Sequence, residues 1–213
     1  MTDRLQEIFS RLPNCQTFAD IGCDHGYIAK AMLDSGKCQK AIVSDISAKC
    51  LSKAEQLLAN YIDIGKAVSV VSDGFEKVDD CDCALIAGMG GEEIVAILNN
   101  CKSLPNALVL QPMKNVDKVR QTVIQKGYKI ITDYVFSSGR IFYDLIVLEK
   151  GKDALTEEEI EFGRTNLLDR GVAFTRLIEN RINVLQACVD NPKTSVLVAT
   201  EKKKEIQRLK KYV

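Results

Sequence analysis

Short β-rich runs alternate with helical stretches from residue 17 to residue 148, and this alternation restricts the possible folds more than any other feature of the sequence. Strands that are separated by helices along the chain are typical of a parallel sheet covered by helices on both faces. The sequence therefore predicts an α/β fold around a mostly parallel sheet. The predicted strands span 17–22, 40–45, 67–74, 83–88 and 106–112, and the predicted helices span 27–36, 47–65, 91–100 and 115–127.

The pattern changes after the fifth predicted strand and its helix. Residues 128–151 contain two β-rich runs around SSGR with no helix between them, which predicts a hairpin whose last strand is antiparallel at or near the sheet edge. Beyond this hairpin, Thr156 and Glu159 form a capping-box pattern and apolar residues recur at helical spacing. We therefore expect a sheet domain over residues 1–151 and a small, coiled-coil-like helical domain over residues 152–213.

Composition excludes several classes of protein. The chain is 46% hydrophobic and 27% charged, which is ordinary for a globular protein and unlike a disordered or collagen-like chain. No apolar run approaches the ~20 residues of a membrane span, and no signal-peptide pattern follows the charged N-terminus, so we expect a cytoplasmic protein. The eight cysteines include no C-x-x-C pair and His25 is the only histidine, so we expect no metal site. Without a secretory signal we expect no disulfide framework.

An acidic residue lies at the end of each of the first three predicted strands: Asp20, Asp45 and Asp73. The carboxyl ends of neighbouring strands meet at the edge where an open α/β sheet binds its ligand. An acid in the place of Asp45 accepts both ribose hydroxyls of a nucleoside, in NAD and S-adenosylmethionine (SAM) sites alike. The three acids together predict a cofactor of the nucleotide type.

The loop after the first strand separates these two cofactors. A dinucleotide-binding loop reads G-x-G-x-x-G, whereas here Gly22 is followed by Asp24 and the next glycine is Gly26. The pattern D-x-G-x-x-x-G is similar to the first motif of class I SAM methyltransferases. Gly22 lets the backbone approach the methionine part of that cofactor, and Asp20 or Asp24 is placed to face its positive charge. The alternative is a tight strand-to-helix turn in another kind of α/β domain.

Two further strand ends and the single histidine are predicted to lie at the same edge of the sheet. The fourth strand ends in Ala87-Gly88-Met89-Gly90-Gly91, which indicates close backbone approach to a ligand, the alternative being a mobile loop before a helix. The fifth strand ends in Gln111, a polar amide held by the following proline. His25 lies inside the first loop, where we expect it to orient the loop or line the pocket and not to act as a general base.

Six motifs in this order and spacing carry a resemblance to a known family. They are DIGCDHGYI (20–28), VSDIS (43–47), SDGF (72–75), IAGMGGEEI (86–94), LQPM (110–113) and FYDLIVLEKG (142–151). Together they resemble the bacterial tRNA (adenine-22, N1) methyltransferase family, TrmK, over essentially the whole chain. Two positions depart from the pattern of that family, which commonly has Asn in place of Met113 and a small residue such as Ala in place of Gly26.

The resemblance implies a Rossmann-like class I methyltransferase sheet that transfers a methyl group from SAM to N1 of an adenine in the D-arm region of tRNA. Catalysis then rests on in-line alignment of the reacting atoms and on electrostatic support of a cationic product. The adenine must leave its stack to react. The residues assigned to the cofactor are Asp20, Gly22, Cys23, Gly26, Asp45, Ile46, Asp73, Gly74, Phe75, Ala87 and Gly88. Those assigned to the pocket of the target base, with no general base among them, are Asp24, His25, Met89 and Gln111.

The last 22 residues are strongly basic, although the whole chain has equal numbers of basic and acidic side chains. Residues 192–213 hold seven Lys or Arg against two Glu. Such a run is commonly a solvated helix face, and the alternative is a surface that contacts phosphates. The family context favours a clamp on tRNA. Its predicted members are Lys202, Lys203, Lys204, Arg208, Lys210 and Lys211.

Three other functions stay open at this point. The same cofactor residues would serve a SAM methyltransferase for another RNA site or for a small molecule. An NAD-dependent oxidoreductase shares the strand-end acids, and the absent G-x-G-x-x-G motif disfavours it. A non-catalytic RNA-binding protein on a methyltransferase fold is disfavoured because Asp20, Gly22, Asp45 and Asp73 are all present.

Overall fold

A seven-stranded sheet with helices on both faces forms the centre of the protein. The computed structural model describes residues 1–78 and 80–213. In the described residues the strand order is β3-β2-β1-β4-β5-β7-β6, where β1 to β5 are parallel and β7 pairs antiparallel with both β5 and β6. The predicted α/β fold with its antiparallel hairpin is therefore confirmed. The strands are β1 Thr17–Ile21, β2 Lys40–Asp45, β3 Ala67–Val71, β4 Cys83–Met89, β5 Ala107–Pro112, β6 Tyr128–Ser138 and β7 Ile141–Lys150.

Helices connect the parallel strands and then form the whole C-terminal segment. In the part of the chain that the structure describes, none of them combines the length and apolar character that a membrane crossing requires. The first five are α1 Asp3–Arg11, α2 Tyr27–Asp34, α3 Ala48–Asp63, α4 Gly91–Asn100 and α5 Val116–Gln125. The C-terminal ones are α6 Glu157–Phe162, α7 Arg164–Asp169, α8 Val172–Asp190, α9 Val196–Leu209 and a final 3-10 turn, Lys210–Tyr212.

The third strand is shorter than the sequence predicts. It ends at Val71, and the Ser72 hydroxyl donates to the carbonyl oxygen of Gly74 and accepts from the amide of Lys77. These local bonds replace ladder bonds and turn the chain into a loop. Asp73 and Gly74 therefore lie in the loop after β3 and not in the strand.

The core consists of two apolar layers, one on each face of the sheet. Neighbouring residues of a strand point to opposite faces, so that Phe18 packs with Met32 of α2 while Ala19 packs with Ile94 of α4. All four side chains are completely buried. Because both faces are covered, the edges of the sheet and the ends of the strands are the positions open to a ligand.

The outer edge of β6 is covered by the first C-terminal helices. The amide of Asp133 donates to the Thr165 hydroxyl at 3.0 Å, and the amide of Val135 donates to the Asn166 side-chain oxygen at 2.9 Å. These α7 side chains bind backbone groups that an exposed edge strand would offer to another chain. The start of the helical segment is thus attached to the sheet.

Arg120 of α5 strengthens this attachment. Its buried guanidinium donates to both carboxylate oxygens of Asp133, at 2.6 and 2.9 Å, and to Asp144 at 3.0 Å. It also donates to the carbonyl oxygens of Ile160 and Glu161, both at 3.1 Å. One side chain therefore links α5, β6, β7 and α6, while the division of the chain at residue 151 stays a prediction.

The rest of the segment is a pair of helices, α8 and α9, packed around a small aromatic cluster. Phe162, Phe174 and Tyr212 lie with ring centroids 4.6 to 6.5 Å apart. The predicted capping box at the start of α6 is confirmed, because the amide of Glu159 donates to the Thr156 hydroxyl and the amide of Thr156 donates to the Glu159 carboxylate. This cluster holds α9 against α8.

Candidate active site

A cavity of about 270 Å³ opens at the carboxyl ends of β1, β2, β3 and β4. The strand order reverses at β1, which makes this edge the topological switch point where open α/β sheets bind ligands. Six residues predicted from the sequence line the cavity, namely Gly22, Asp45, Ile46, Asp73, Gly74 and Met89. Six other lining residues were not predicted from the sequence: Ile21, Ser72, Glu93, Ala96, Ile97 and Asn100.

The loop after β1 is held against β2. The amides of Gly22 and Cys23 both donate to the carbonyl oxygen of Ser44, each at 2.8 Å. Gly22 has a φ of +76°, and the Met89 side chain lies so close that a β-carbon on Gly22 would overlap its methyl group. A glycine is therefore required here for both the backbone angle and the close approach.

Asp45 stands at the end of β2 on one wall of the cavity. Its Oδ1 accepts a hydrogen bond from the amide of Ser47 at 2.7 Å, which fixes the carboxylate at the start of α3. The neighbouring Ile46 side chain is 72% exposed at the cavity mouth. A fixed carboxylate beside an apolar side chain can accept from two adjacent hydroxyls while the apolar group covers the attached ring.

The opposite wall combines the loop after β3 with one face of α4. Gly74 has a φ of +54°, and a β-carbon there would lie 2.8 Å from Cγ2 of Ile97. Ala96 and Ile97 give this wall apolar surface, and Asp73 and Asn100 add polar atoms. Such a slot suits a flat heterocycle with polar groups along its edge.

Three predicted cofactor residues are buried and do not line the cavity. Asp20 and Cys23 are buried, and burial raises the pKa of Asp20 to about 6 while a side-chain hydrogen bond with Cys23 opposes that rise. Gly26 has a φ of +73° and packs on α3, where a β-carbon would lie 3.2 Å from that of Ala54. The structure thus gives Gly26 a packing role at the start of α2 and places it outside the cavity wall.

Asp24 and His25 face solvent at the rim. The Asp24 carboxylate pairs with Lys53 Nζ at 2.7 Å and with His25 Nδ1 at 2.6 Å, and the hydrogen bond from Lys53 lowers its pKa. The His25 ring stacks on Tyr27 with centroids 5.4 Å apart. Neither residue lines the cavity, and their assignment to the pocket of the target base stays a prediction.

Three further predicted residues lie near the ends of β3 and β4 without lining the cavity. Phe75 packs against the same apolar layer as Ile97 and lines a neighbouring opening, and its predicted place beside the cofactor ring stays a prediction. Ala87 packs into the opposite layer, and Gly88 follows it with its open face toward α1. Met89 therefore faces the cavity, while Gly88 faces a second group of side chains.

This second group contains Arg4 and Tyr143, which the sequence analysis did not assign. Arg4 Nε donates to Oε1 of the fully buried Gln111 at 2.8 Å, and burial lowers the pKa of the guanidinium. Its Cζ lies 5.5 Å from the centre of the Tyr143 ring. Arg4 is 107 residues from Gln111 in the chain. Only a pattern spanning that separation would have revealed the pair, because Arg4 is an ordinary polar position of an amphipathic helix.

The six residues of the predicted RNA clamp lie in different environments. Arg208 donates to the carboxylates of Glu161 and Glu205 at 2.8 to 2.9 Å, and Lys211 pairs with Glu158. Both cations therefore form ion pairs within the helical segment, and their predicted contacts with phosphates stay a prediction. Lys203, Lys204 and Lys210 are exposed, and Lys202 is half-buried.

Two larger openings, of about 760 and 770 Å³, lie elsewhere on the surface. The first is at the amino ends of the strands and includes Gln16 and Gln39, and the second lies between Phe75 and Pro105. The smaller cavity is the candidate ligand site, because ligands of open α/β sheets bind outside the carboxyl ends of the strands.

Comparison with known proteins agrees with this geometry. The family model of a methyltransferase domain matches residues 1–146. A putative tRNA methyltransferase of Mycoplasma pneumoniae is 30% identical over 155 residues, which cover 70% of this chain and 71% of that protein. The chain belongs to this methyltransferase family.

The resemblance predicted from the six motifs is confirmed by further members of the methyltransferase family. The tRNA (adenine(22)-N(1))-methyltransferase of Bacillus subtilis is 29% identical over 161 residues, which cover 71% of this chain and 66% of that enzyme. The structure of M. capricolum TrmK in complex with S-adenosyl-homocysteine has a TM-score of 0.87 at 24% identity, covering 100% of this chain and 97% of that one. The C-terminal helices are thus part of the shared fold.

Proposed function

We propose that this member of the methyltransferase family transfers a methyl group from SAM to N1 of adenine 22 in tRNA. The observation that carries the proposal is the switch-point cavity, lined by Gly22, Asp45 and Asp73. Its wider support is the similarity to an enzyme named for this reaction. The proposed compartment is the cytoplasm, where the substrate is found.

The cavity residues fit SAM by their chemistry. The Asp45 carboxylate would accept hydrogen bonds from the ribose hydroxyls, and the Asp73 carboxylate would accept one from the adenine amino group. The adenine ring would lie between Ile46 and Ile97. A volume of about 270 Å³ is near the lower limit of ligand pockets, which is roughly 300 Å³. The flexible Met89 side chain lies on Gly22 and would move aside to enlarge the cavity.

The proposed reaction needs alignment more than proton transfer. SAM supplies an electrophilic methyl group, and N1 of neutral adenine already carries a lone pair. The task of this chain is to hold the base in line with the methyl group and to exclude water. The adjacent Gly88 and Met89 face opposite sides at the end of β4, and we assign the Met89 side to the cofactor and the Gly88 side to the base.

The substrate is proposed to be RNA because exposed cations are grouped on the helical segment. N1 lies on the Watson–Crick edge, so the base must be flipped out, and the body of the RNA must be held through its phosphates. In this proposal residues 1–151 carry the cofactor site. Residues 152–213 contribute the phosphate contacts, through the exposed Lys203, Lys204 and Lys210.

The lysine contribution is tested by replacing Lys203, Lys204 and Lys210 together with alanine. This keeps the buried Ile206 and Leu209, which a truncation of α9 would remove. We expect weaker tRNA binding and a slope of log affinity against log salt that is shallower by about 0.7–0.9 per lost phosphate contact, with SAM affinity unchanged.

A matched control replaces three exposed lysines at the amino edge of the sheet, Lys40, Lys66 and Lys129. Equal losses in the two triple variants would show that binding follows total charge and not the proposed surface.

The reaction itself is tested with labelled SAM and two tRNA transcripts that differ only in base 22. We expect label in the adenine-22 transcript and none in the guanine-22 transcript. Label in both would move the site to another base, and SAM binding without label in either would indicate a different methyl acceptor, such as a small molecule.

A further inference from the structure

The side chain of Arg4 is fixed in one orientation at the rim of the sheet. Its Nε donates to Oε1 of Gln111 at 2.8 Å. The amide nitrogen of Gln111 donates to the carbonyl oxygen of Pro112 at 3.0 Å, and the whole side chain is buried. Because that bond determines which end of the amide faces Pro112, the oxygen is directed toward Arg4.

Two other residues support the guanidinium. Its Cζ lies 5.5 Å from the ring centre of Tyr143, and its Nη2 would lie 2.9 Å from a β-carbon on Gly88. The glycine therefore makes room for the arginine as well as for the turn. The β6–β7 hairpin extends beyond the end of β5, because β7 pairs with β6 from Ile141 onward but with β5 only from Ile146 onward. Tyr143 lies in this extension and so comes close to Arg4.

The terminal nitrogens of Arg4 are left free to bind another molecule. Within residues 1–78 and 80–213 neither Nη1 nor Nη2 hydrogen-bonds to protein, and Arg4 belongs to no ion pair there. Neither atom is among the buried polar atoms that lack a partner, so both reach solvent. An immobilised guanidinium with an open fork has the geometry that binds an oxyanion through two parallel hydrogen bonds.

We propose that Arg4, positioned by Gln111 and Tyr143, binds a backbone phosphate next to the target nucleotide. This inference rests on the proposed function and extends it to one contact. A phosphate is favoured over the base, since methylation at N1 leaves the base positively charged and a facing guanidinium would repel it. It is favoured over the cofactor carboxylate because Arg4 lies on the Gly88 side of the end of β4 and does not line the cavity.

The test compares Arg4→Gln with Arg11→Gln. Arg11 is a matched control, since it lies two turns along the same helix, about 10 Å away, donates to the Tyr134 hydroxyl at 2.8 Å and stacks 4.9 Å from that ring. For Arg4→Gln we expect tRNA affinity to fall about tenfold or more and the salt slope to shrink by about 0.7–0.9. Arg11→Gln is expected to match the wild type, and S-adenosyl-homocysteine affinity to stay constant in both.

A second measurement changes the RNA and starts from the wild-type protein. An RNA hairpin containing the target adenine is made with an uncharged methylphosphonate on either side of that nucleotide. The wild-type protein is expected to lose about tenfold in affinity for one of the two RNAs, and Arg4→Lys, which keeps the charge but not the fork, to show a smaller loss.

Three results would overturn the phosphate contact. They are unchanged RNA affinity in Arg4→Gln, weakened binding of S-adenosyl-homocysteine without a change in RNA binding, and wild-type affinity insensitive to both methylphosphonates. The second result would assign Arg4 to the cofactor carboxylate. The proposed function is tested separately with the wild-type protein alone. If that function is wrong, the wild-type protein leaves tRNA unmethylated.

Discussion

Replacing Asp45 with Asn changes one charge in the cavity and almost nothing else. Asp45 is half-buried at the end of β2, and its Oδ1 accepts from the amide of Ser47 at 2.7 Å. An asparagine has the same shape and can keep this bond through its own side-chain oxygen. The substitution removes the negative charge of the carboxylate that would accept hydrogen bonds from the ribose hydroxyls of the cofactor.

The expected loss follows from that charge. A hydrogen bond to a charged group contributes about 1.5–3 kcal/mol, and the lower part of this range applies because Asp45 is only half-buried. A loss of about 1.5–2 kcal/mol corresponds to a roughly 10- to 30-fold rise in Kd. Binding of S-adenosyl-homocysteine, measured by titration calorimetry, reports this value without any RNA.

Asp63→Asn is the control for the charge change. Asp63 is exposed at the last position of α3, outside the cavity wall, and its substitution should leave the Kd unaltered. If Asp45→Asn binds within twofold of the wild type while its thermal unfolding is normal, the assignment of this cavity to the cofactor is refuted.

Three other substitutions test the loop, the sheet edge and the buried acid. Gly22→Ala is expected to weaken S-adenosyl-homocysteine in calorimetry, because a β-carbon meets Met89 at a φ of +76°. Arg120→Met leaves Asp133 buried without its partner, and urea unfolding should show a loss of about 3–5 kcal/mol. Asp20 has a pKa raised from 3.8 to about 6, so wild-type stability falls as pH rises through that interval. Asp20→Asn should therefore be more stable than the wild type above pH 6 by up to about 3 kcal/mol in pH-dependent unfolding, with the gap closing below pH 4.

Local sequence patterns were sufficient for most of the fold. The second strand and the fourth helix have the predicted bounds, Lys40–Asp45 and Gly91–Asn100, because β-branched runs and glycine boundaries act within a few residues. The acids Asp45 and Asp73 were placed at the cavity because the topology of a parallel sheet brings strand ends together.

The contacts that were not predicted involve side chains whose partners are distant in sequence. Gly26 packs on Ala54, and a glycine needed for close helix packing has the same local pattern as one needed for a ligand. The ion pair of Arg208 with Glu161, 47 residues earlier, was not predicted either. Arg4 was missed for the same reason, since nothing near it in the chain indicates Gln111.

The C-terminal segment shows a similar limit. Its helical character and capping box follow from local sequence, as Thr156 confirms. Its attachment to the sheet depends on Arg120, Thr165 and Asn166, whose bonds to β6 were not predicted. A buried arginine in an amphipathic helix has no local signal that distinguishes it from an exposed one.

The central claim is methyl transfer to one adenine of tRNA. The most direct measurement is incubation of the wild-type protein with SAM and unmodified bulk tRNA, followed by mass spectrometry of the nucleosides and mapping of the modified position. The account predicts N1-methyladenosine at position 22 and at no other position. Methylation of a different base, or none in any tRNA despite bound SAM, would contradict it.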